Sequence, residues 1–390
     1  MAHIQALKQR FIEQFGGSEA DIRVFHAPGR VNLIGEHTDY NGGYVFPAAL
    51  TFGTTALIRP RGDRKLNLAS TNFELSGSVH IDELKYEEAD DWMNYPKAMA
   101  YHLQRHGYSI SGSDILFSGL IPNGSGLSSS ASIEVVTGYA LLSIAGVSDI
   151  DTVKLALIAQ EAENQFVGVN CGIMDQFAVA NGKKDNAILL MCDTLEYKHV
   201  PFRSGEYKLV IGNTNKRRGL VESEYNTRRS QCEQAVKHLQ AAFPQIKLLG
   251  ELTLEQYNAN EHLIPDEIIR KRARHVIEEI DRVLQSMKVL EVNDLAAFGQ
   301  LMIASHRSLQ HLYEVTGLEL DTMVDAALEV EGVLGSRMTG AGFGGCTVSL
   351  VNEDQIDTFI DEVGKKYAAV TGLDAAFYVC DIGDGVKEVK

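Results

Sequence analysis

The sequence predicts an α+β protein with two domains, and three observations lead to that fold class. The chain has 390 residues, 45% hydrophobic and 23% charged, which is typical of a globular protein large enough for two or three domains. Strand-like runs between glycine-rich turns fill the first half, whereas helical spacing of apolar residues dominates after about residue 220. The elements do not alternate regularly, which favours α+β layers over a βαβ wind. No long linker is visible, so we expect domains at 1–200 and 201–390 with a broad interface.

Each element is predicted from its local pattern. Alternating or β-branched runs predict strands at 23–27, 44–48, 55–58, 65–69, 114–118, 187–192, 209–212, 346–351 and 376–380. Apolar residues at helical spacing predict helices at 1–15, 92–106, 127–142, 153–166, 222–242, 266–287, 294–313, 322–334 and 356–369.

Charge and composition narrow the class of protein. The 52 acidic and 36 basic residues give a net charge of −16, whereas dedicated nucleic-acid binders normally present a basic face. The first helix is amphipathic and unlike a secretory signal, and no apolar run reaches the ~20 residues of a membrane span. Five scattered cysteines without a CxxC pair fit reduced thiols. We therefore expect a cytoplasmic protein without nucleic-acid or membrane partners; oligomeric state stays open, and a monomer is compatible.

The first glycine-rich segment, 121–132 (IPNGSGLSSSAS), follows a predicted strand and opens a predicted helix. Small residues let a ligand approach the backbone, and a helix N-terminus offers free N–H groups and a positive dipole end. This order favours a nucleotide phosphate cradle over a serine-rich cap and turn. It is not a P-loop, because G-x-x-x-x-G-K-[ST] is absent.

Two further segments are rich in glycine. In 339–346 (TGAGFGGC) a G-x-G-x-x-G spacing occurs, but a strand is predicted to follow it where a dinucleotide fold needs a helix. We expect this backbone to pass close to the phosphate cradle, or to form a plain tight turn. In 27–43 (APGRVNLIGEHTDYNGG) a dense set of planar donors and acceptors suits the many hydroxyls of a sugar.

At this point the sequence resembles a known family. Residues 29–40 (GRVNLIGEHTDY) resemble the galactokinase signature, and 122–132 and 339–346 resemble motifs of the superfamily that also contains homoserine, mevalonate and phosphomevalonate kinases. With 171–177 (CGIMDQF) and 222–226 (ESEYN), the resemblance spans nearly the whole chain. It implies a two-domain small-molecule kinase fold with the site in the interdomain cleft, and transfer of the γ-phosphoryl of MgATP to the anomeric hydroxyl of galactose.

The resemblance also implies roles for individual residues. The sugar would be held by Glu36, His37, Thr38, Asp39, Gly172, Asp175 and Tyr225. ATP would be held by Gly124, Ser125, Gly126, Leu127, Ser128, Ser129 and Ser130, with Ser70 and Trp92 near the nucleoside. Mg²⁺ would be held by Ser130 and Glu163.

Asp175 is the candidate proton acceptor, and Arg30 can hold its carboxylate and stabilise developing charge. An adjacent arginine makes an aspartate a weaker base, so Asp175 can act either as a general base or by electrostatic positioning. Ordinary structural roles are the alternatives: an Arg30–Asp175 ion pair, packing of Tyr225, and a solvated helix face for Glu163.

Two other features have weaker functional interpretations. The basic run 216–218 could neutralise phosphates but more often is solvated, and His102 with His106 lacks a third metal ligand nearby in sequence. Alternative functions are a kinase for N-acetylgalactosamine or arabinose, and a galactose- and ATP-binding sensor that transfers no phosphate.

Overall fold

A six-stranded sheet forms the centre of the first half of the molecule. The computed structural model describes residues 2–121, 126–216 and 221–389. The strand order in this sheet is β13-β1-β3-β6-β4-β5. Its strands are β1 (Arg23–Asn32), β3 (Pro47–Pro60), β4 (Lys65–Ser70), β5 (Gly77–His80), β6 (Ser113–Gly119) and β13 (Lys387–Glu388). The last strand thus returns to pair with the first.

Apolar helices cover one face of this sheet. The helices of the first half are α1 (Ala2–Phe15), α2 (Asn94–Arg105), α3 (Ser129–Ile144), α4 (Thr152–Ala162) and α5 (Met174–Asn181). Helices α2 to α5 lie on this face, whereas α1 packs on the opposite face. Helix α3 is apolar on nearly every side because it lies between the sheet and helices α2, α4 and α5. The buried Ser132 fixes its first turn: its hydroxyl donates to the Ala27 carbonyl and accepts from Thr54 N–H.

The second half is built on a four-stranded sheet of order β10-β11-β9-β12. Its strands are β9 (Tyr207–Asn213), β10 (Val333–Thr339), β11 (Cys346–Asn352) and β12 (Ala376–Cys380). The helices here are α6 (Val221–Leu239), α7 (Leu254–Asn260), α8 (Glu267–Glu291), α9 (Leu295–Ser308), α10 (Gly317–Leu328) and α11 (Ile356–Thr371). A third sheet joins β2 (Tyr44–Val45), β7 (Asn186–Met191) and β8 (Tyr197–Pro201).

Most predicted elements are confirmed, and the exceptions have local causes. The helix predicted at 322–334 is wrong in its second half, because α10 stops at Leu328 and Gly332, with a φ of 84°, turns the chain into β10. The helix predicted at 153–166 stops being α-helical at Ala162 and continues as a π-helical turn, Glu163–Val167. A strand does follow 339–346, as predicted from the order of motifs.

The two halves share a hydrophobic core. Val31 and Phe46 of the first half pack in one buried cluster with Ile211, Phe298 and Val348 of the second. The boundary near residue 200 stays a prediction. Among the described residues no helix is both long and apolar enough to cross a bilayer.

Candidate active site

The sugar-signature segment 29–43 begins at an irregular point of strand β1. A register shift between Pro28 and Arg30 breaks the β1–β3 ladder. Gly29 lies there against the phosphate segment, where a Cβ would come within 3.0 Å of the Leu127 carbonyl oxygen. Arg30 N–H then donates to that carbonyl at 3.2 Å. The two glycine-rich segments are thus joined directly by backbone contacts.

His37 adopts a left-handed conformation, with a φ of 63°. Its Nδ1 lies 2.9 Å from the Tyr40 hydroxyl and its Nε2 lies 3.2 Å from the Ala341 carbonyl oxygen. Because a carbonyl only accepts, Nε2 carries the proton and Tyr40 donates to Nδ1. Burial lowers the pKa of His37 to about 3, so the ring is neutral. Both ring nitrogens therefore have protein partners, and the ring also packs on Tyr313.

Glu36 connects the same segment to the second half. Its Oε2 accepts from Arg337 Nη2 at 2.5 Å, and its Oε1 accepts from Gly340 N–H at 2.9 Å. Arg337 lies on β10 and is fully buried. The third glycine-rich motif thus contacts Glu36 and His37. Its approach to the phosphate cradle stays a prediction, because residues 122–125 of that segment lie outside the described residues.

Thr38 is also fully buried. Its hydroxyl lies within 2.9 Å of the Gly35 carbonyl and 2.7 Å of the Tyr44 carbonyl, so its side chain is used inside the segment.

Asp175 stands in the first turn of α5 and receives three hydrogen bonds. Arg30 donates from Nε to Oδ1 and from Nη2 to Oδ2, each at 2.7 Å, in a bidentate pair. Ser128 Oγ donates to Oδ2 at 2.5 Å. Arg30 Nη1 also donates to the Gly126 carbonyl at 2.7 Å. One arginine therefore fixes the candidate proton acceptor and the phosphate segment relative to each other.

The remaining candidate sugar residues gather beside Asp175. A Cβ built on Gly172 would lie 3.2 Å from Asp39 Oδ2, so Asp39 and Gly172 are neighbours. Burial raises the pKa of Asp39 to about 6, and the negative charges of Asp175 and Glu36 add to that rise. The Tyr225 ring lies 5.5 Å from the His37 ring and 5.2 Å from the Tyr40 ring. Residues distant in sequence thus form one polar pocket with an aromatic wall.

Glu163 lies at the π-helical turn, with 5% of its surface exposed. Its carboxylate accepts from Gln176 Nε2 at 2.6 Å and is hydrogen-bonded to the Ser130 hydroxyl. Burial, followed by the charge of Asp175, raises the pKa of Glu163. Burial, followed by the charge of Glu163, holds the pKa of the adjacent Glu134 well above its usual range. The predicted metal-ligating residues are thus close together, but within the described residues no group of three or more His, Cys, Asp or Glu could hold a metal.

A cavity of about 270 Å³ lies next to Ser129 and Ser130. Ser70 and Trp92, the predicted nucleoside residues, both line it. The Trp92 ring stacks on Phe73 at 6.1 Å, and its Nε1 donates to the Leu75 carbonyl, so Trp92 is a buried part of the cavity wall. The other lining residues include Asn72, Asp91, Tyr95 and Phe117.

The structure therefore brings the described candidate residues into one region. In it the candidate sugar-binding residues adjoin Asp175, and Ser129 and Ser130 of the phosphate segment line the cavity. Gly124 and Ser125 lie outside the described residues, as do 217 and 218 of the basic run; Lys216 is paired with Glu319. Between the two candidate histidines lies Glu161, 3.3 Å from His102 and 2.7 Å from His106.

Sequence reasoning did not identify several neighbours of the site: Arg337, Tyr40, Tyr313, Gln176, Glu134, Asp91 and Tyr95. One signal was available, because Glu134 is an acid inside the most apolar stretch of the chain. The hydrogen bond from Ser128 to Asp175 had no sequence signal.

Comparisons with known proteins agree with this arrangement. Three family models match: the galactokinase galactose-binding signature at residues 9–60, the GHMP kinases N terminal domain at 94–183 and the GHMP kinases C terminal at 272–369. A galactokinase of Fusobacterium nucleatum is 53% identical over 95% of this chain and 96% of its own length. A galactokinase of Bacillus subtilis is 49% identical over 99% of both chains.

Solved structures are similar over the whole chain. The crystal structure of Lactococcus lactis galactokinase complexed with galactose has a TM-score of 0.92 and 46% identity, covering 99% of this chain and 100% of that one. The mevalonate kinase of Methanococcus jannaschii has a TM-score of 0.68 at 20% identity over 94% of this chain and all of its own, a likeness of fold. With half of the residues identical to those of curated galactokinases over the full length, the chain belongs to the galactokinase family.

Proposed function

We propose that this protein transfers the γ-phosphoryl group of MgATP to the anomeric hydroxyl of galactose, giving galactose 1-phosphate and ADP. One observation carries the proposal. The Arg30–Asp175–Ser128 unit lies between the polar pocket at Asp39 and the phosphate segment at Gly126. A sugar hydroxyl and a terminal phosphate would meet at that unit.

The polar pocket suits a hexose. Asp39 offers carboxylate oxygens as acceptors, and the Tyr225 hydroxyl can donate or accept. His37 and Thr38 have side-chain partners inside the segment, so we infer that their contribution is to hold its shape. Glu36 accepts hydrogen bonds from Arg337, Gly340 and, at 3.3 Å, Thr339, which leaves further acceptor capacity on its oxygens.

Phosphoryl transfer requires alignment, charge neutralisation and a destination for the proton. Asp175 would accept the anomeric proton as the oxygen–phosphorus bond forms and the bond from the γ-phosphorus to the ADP oxygen breaks. Three donors fix the orientation of this carboxylate, which favours a late proton transfer and a positioning role. Arg30 would keep Asp175 and the phosphate segment in register and stabilise negative charge.

Ser130 and Glu163 would hold Mg²⁺. The donor set fits, because a hydroxyl and a single carboxylate are oxygen ligands, and Mg²⁺ commonly takes one or two carboxylates with waters and phosphate oxygens. When bound, the ion would neutralise phosphate charge. Gln176 orients Glu163 from the same helical turn that carries Asp175.

The test is ADP release with MgATP on galactose, N-acetylgalactosamine, arabinose and glucose. We expect turnover on galactose and a loss of at least ~100-fold in Asp175→Asn, with MgATP binding retained. Asp185→Asn is the matched control, because Asp185 is an exposed loop acid at a φ of 57°, a conformation that asparagine accepts. Preferred turnover on another sugar would contradict the substrate. Galactose binding without any turnover would favour a sensor.

A further inference from the structure

Asp91 has the most strained backbone next to the cavity. It lies in the short helical segment Glu88–Met93 with a φ of 41° and a ψ of −118°, a conformation that side chains other than glycine rarely adopt. Strain of this kind persists only where the surroundings impose it, and such residues cluster at ligand sites. The strained backbone of Asp91 therefore indicates that neighbouring residues impose it and that it serves a ligand site.

The cause is a buried polar clamp behind Asp91. The Asn94 side chain donates to the Glu87 carbonyl at 2.7 Å and to the Asp91 carbonyl at 3.1 Å, and it accepts from Glu87 N–H. Lys97, 1% exposed, donates to Asn94 Oδ1 at 3.0 Å and to the Asp90 carboxylate. A lysine is almost never this buried unless it is paired. The clamp holds the turn in one conformation.

The clamp presents Asp91 to the cavity. Asp91, Trp92 and Tyr95 all line it. Phe73 and Trp92 form a stacked aromatic pair in the cavity wall, and Ser129 and Ser130 of the phosphate segment line the same cavity. Burial raises the pKa of Tyr95 to about 12, and the charges of Glu163, Glu134 and Asp91 contribute to that rise. Asp91 thus shares one cavity with the aromatic pair Phe73–Trp92 and with Ser130, one of the predicted metal-ligating residues. Its exposed carboxylate has no hydrogen-bond or ion-pair partner elsewhere in the described chain.

We propose that the Asp91 carboxylate accepts hydrogen bonds from the ribose hydroxyls of the nucleotide, and that Asn94 and Lys97 are positioning residues that hold it there. The proposal rests on the nucleotide site of the proposed function. A carboxylate only accepts, which suits two vicinal hydroxyl donors, and it would repel the phosphates. Among the parts of a nucleotide, the ribose is the neutral group between a stacked base and the phosphates.

The test is calorimetric binding of MgADP, Mg-2′-deoxyADP and Mg-3′-deoxyADP, which needs no turnover. The wild type should bind ADP roughly tenfold more tightly than one or both deoxy analogues. Asp91→Ala and Asp91→Gly should weaken ADP binding and bring the ratio of ADP affinity to deoxy-analogue affinity close to 1. The affinity for the analogue that lacks the contacted hydroxyl should change little. Glycine accepts the backbone conformation, so Asp91→Gly should also melt at a higher temperature than Asp91→Ala.

Two controls separate charge from structure. Glu88→Gln removes an exposed acid from the same segment and should keep the wild-type ratio. Introduced alone, Lys97→Met should lower the preference for ADP over the deoxy analogues. Added to Asp91→Gly it should leave that preference unchanged, because the carboxylate that Lys97 positions is already absent.

An unchanged ratio in Asp91→Ala, or equal weakening of all three nucleotides, would overturn the proposal. Loss of discrimination between adenine and hypoxanthine nucleotides instead would assign Asp91 to the base. Galactose turnover by the wild type, measured in parallel, reports on the proposed function independently of these ratios.

Discussion

At the scale of single residues, Asp39 shows how the sugar pocket reduces stability. Its pKa is raised to about 6 by burial and then by Asp175 and Glu36, against the reference value of 3.8. The native state therefore binds this proton more tightly than the unfolded chain does between about pH 4 and 6. The associated stability is present at low pH and is lost as the pH rises through 6. At neutral pH the ionised carboxylate therefore lowers the stability of the fold, while it supplies acceptors for the sugar hydroxyls.

Asp39→Asn tests both sides of this relation. At pH 7.5 we expect the free energy of unfolding to rise by about 1–3 kcal/mol, because the neutral amide avoids the cost of a desolvated charge. The galactose KM should rise at least ~10-fold, because an acceptor is lost. Denaturant unfolding and steady-state kinetics measure the two effects.

The pH dependence gives an internal control. In the wild type the galactose KM should increase as the pH falls through about 6, whereas in Asp39→Asn it should be flat in that range. A variant that is less stable than the wild type at pH 7.5 would contradict the account.

At the scale of elements, strand β10 and the segment after β1 are joined through Glu36 and Arg337. Arg337 has no exposed surface, and it also donates to Ser305 Oγ at 3.2 Å and to the Asn32 and Leu33 carbonyls at 3.3 and 3.4 Å. Glu279 lies more distantly, at 3.9 Å. A buried ion pair adds little stability over an apolar pair, but removal of one partner strands the other charge. Burial raises the pKa of Glu36, so a neutral amide avoids part of the cost of a desolvated charge. Glu36→Gln should therefore lower the free energy of unfolding by about 2–3 kcal/mol, less than the loss of a fully stranded partner.

Denaturant unfolding of Glu36→Gln measures this loss. Asp325→Asn is the matched control, because it breaks an exposed aspartate–arginine pair with Arg307 and should cost less than ~1 kcal/mol. Equal effects of the two substitutions would show that the buried pair does not join the elements.

The elements also show what sequence patterns can predict. The periodicity of apolar residues and the positions of turn residues predicted most strands and helices. The order of strand, glycines, serines and helix predicted the phosphate segment. The π-helical turn at Glu163 and the αL residue Ser128 had no pattern, because both depend on tertiary contacts. For the same reason no pattern indicated that the third motif contacts Glu36.

At the scale of the whole molecule, the candidate site combines residues from both ends of the chain. The sugar segment begins near residue 29, and Tyr225, Tyr313 and Gly340 reach it from the second half. A sequence motif specifies the members of such a site but not their distances, since those depend on how the two halves pack. The chain then returns to the first half through β13, which pairs Glu388 with Phe25 of β1.

Removal of residues 387–390 tests how far the stability of the fold depends on the pairing of β13 with β1. The deletion exposes one edge of β1 and removes the Val389 N–H bond to the Val24 carbonyl and the bidentate pair between Arg23 and Glu388. We expect a loss of about 2–4 kcal/mol in the free energy of unfolding, because several hydrogen bonds and the packing of Val389 are lost together. Glu388→Gln removes only the half-exposed ion pair and should cost less than ~1 kcal/mol. If the truncated chain and Glu388→Gln unfold alike, β13 contributes only its ion pair. If the truncated chain instead unfolds in two separate transitions, the returning strand is what makes the two halves unfold as one unit.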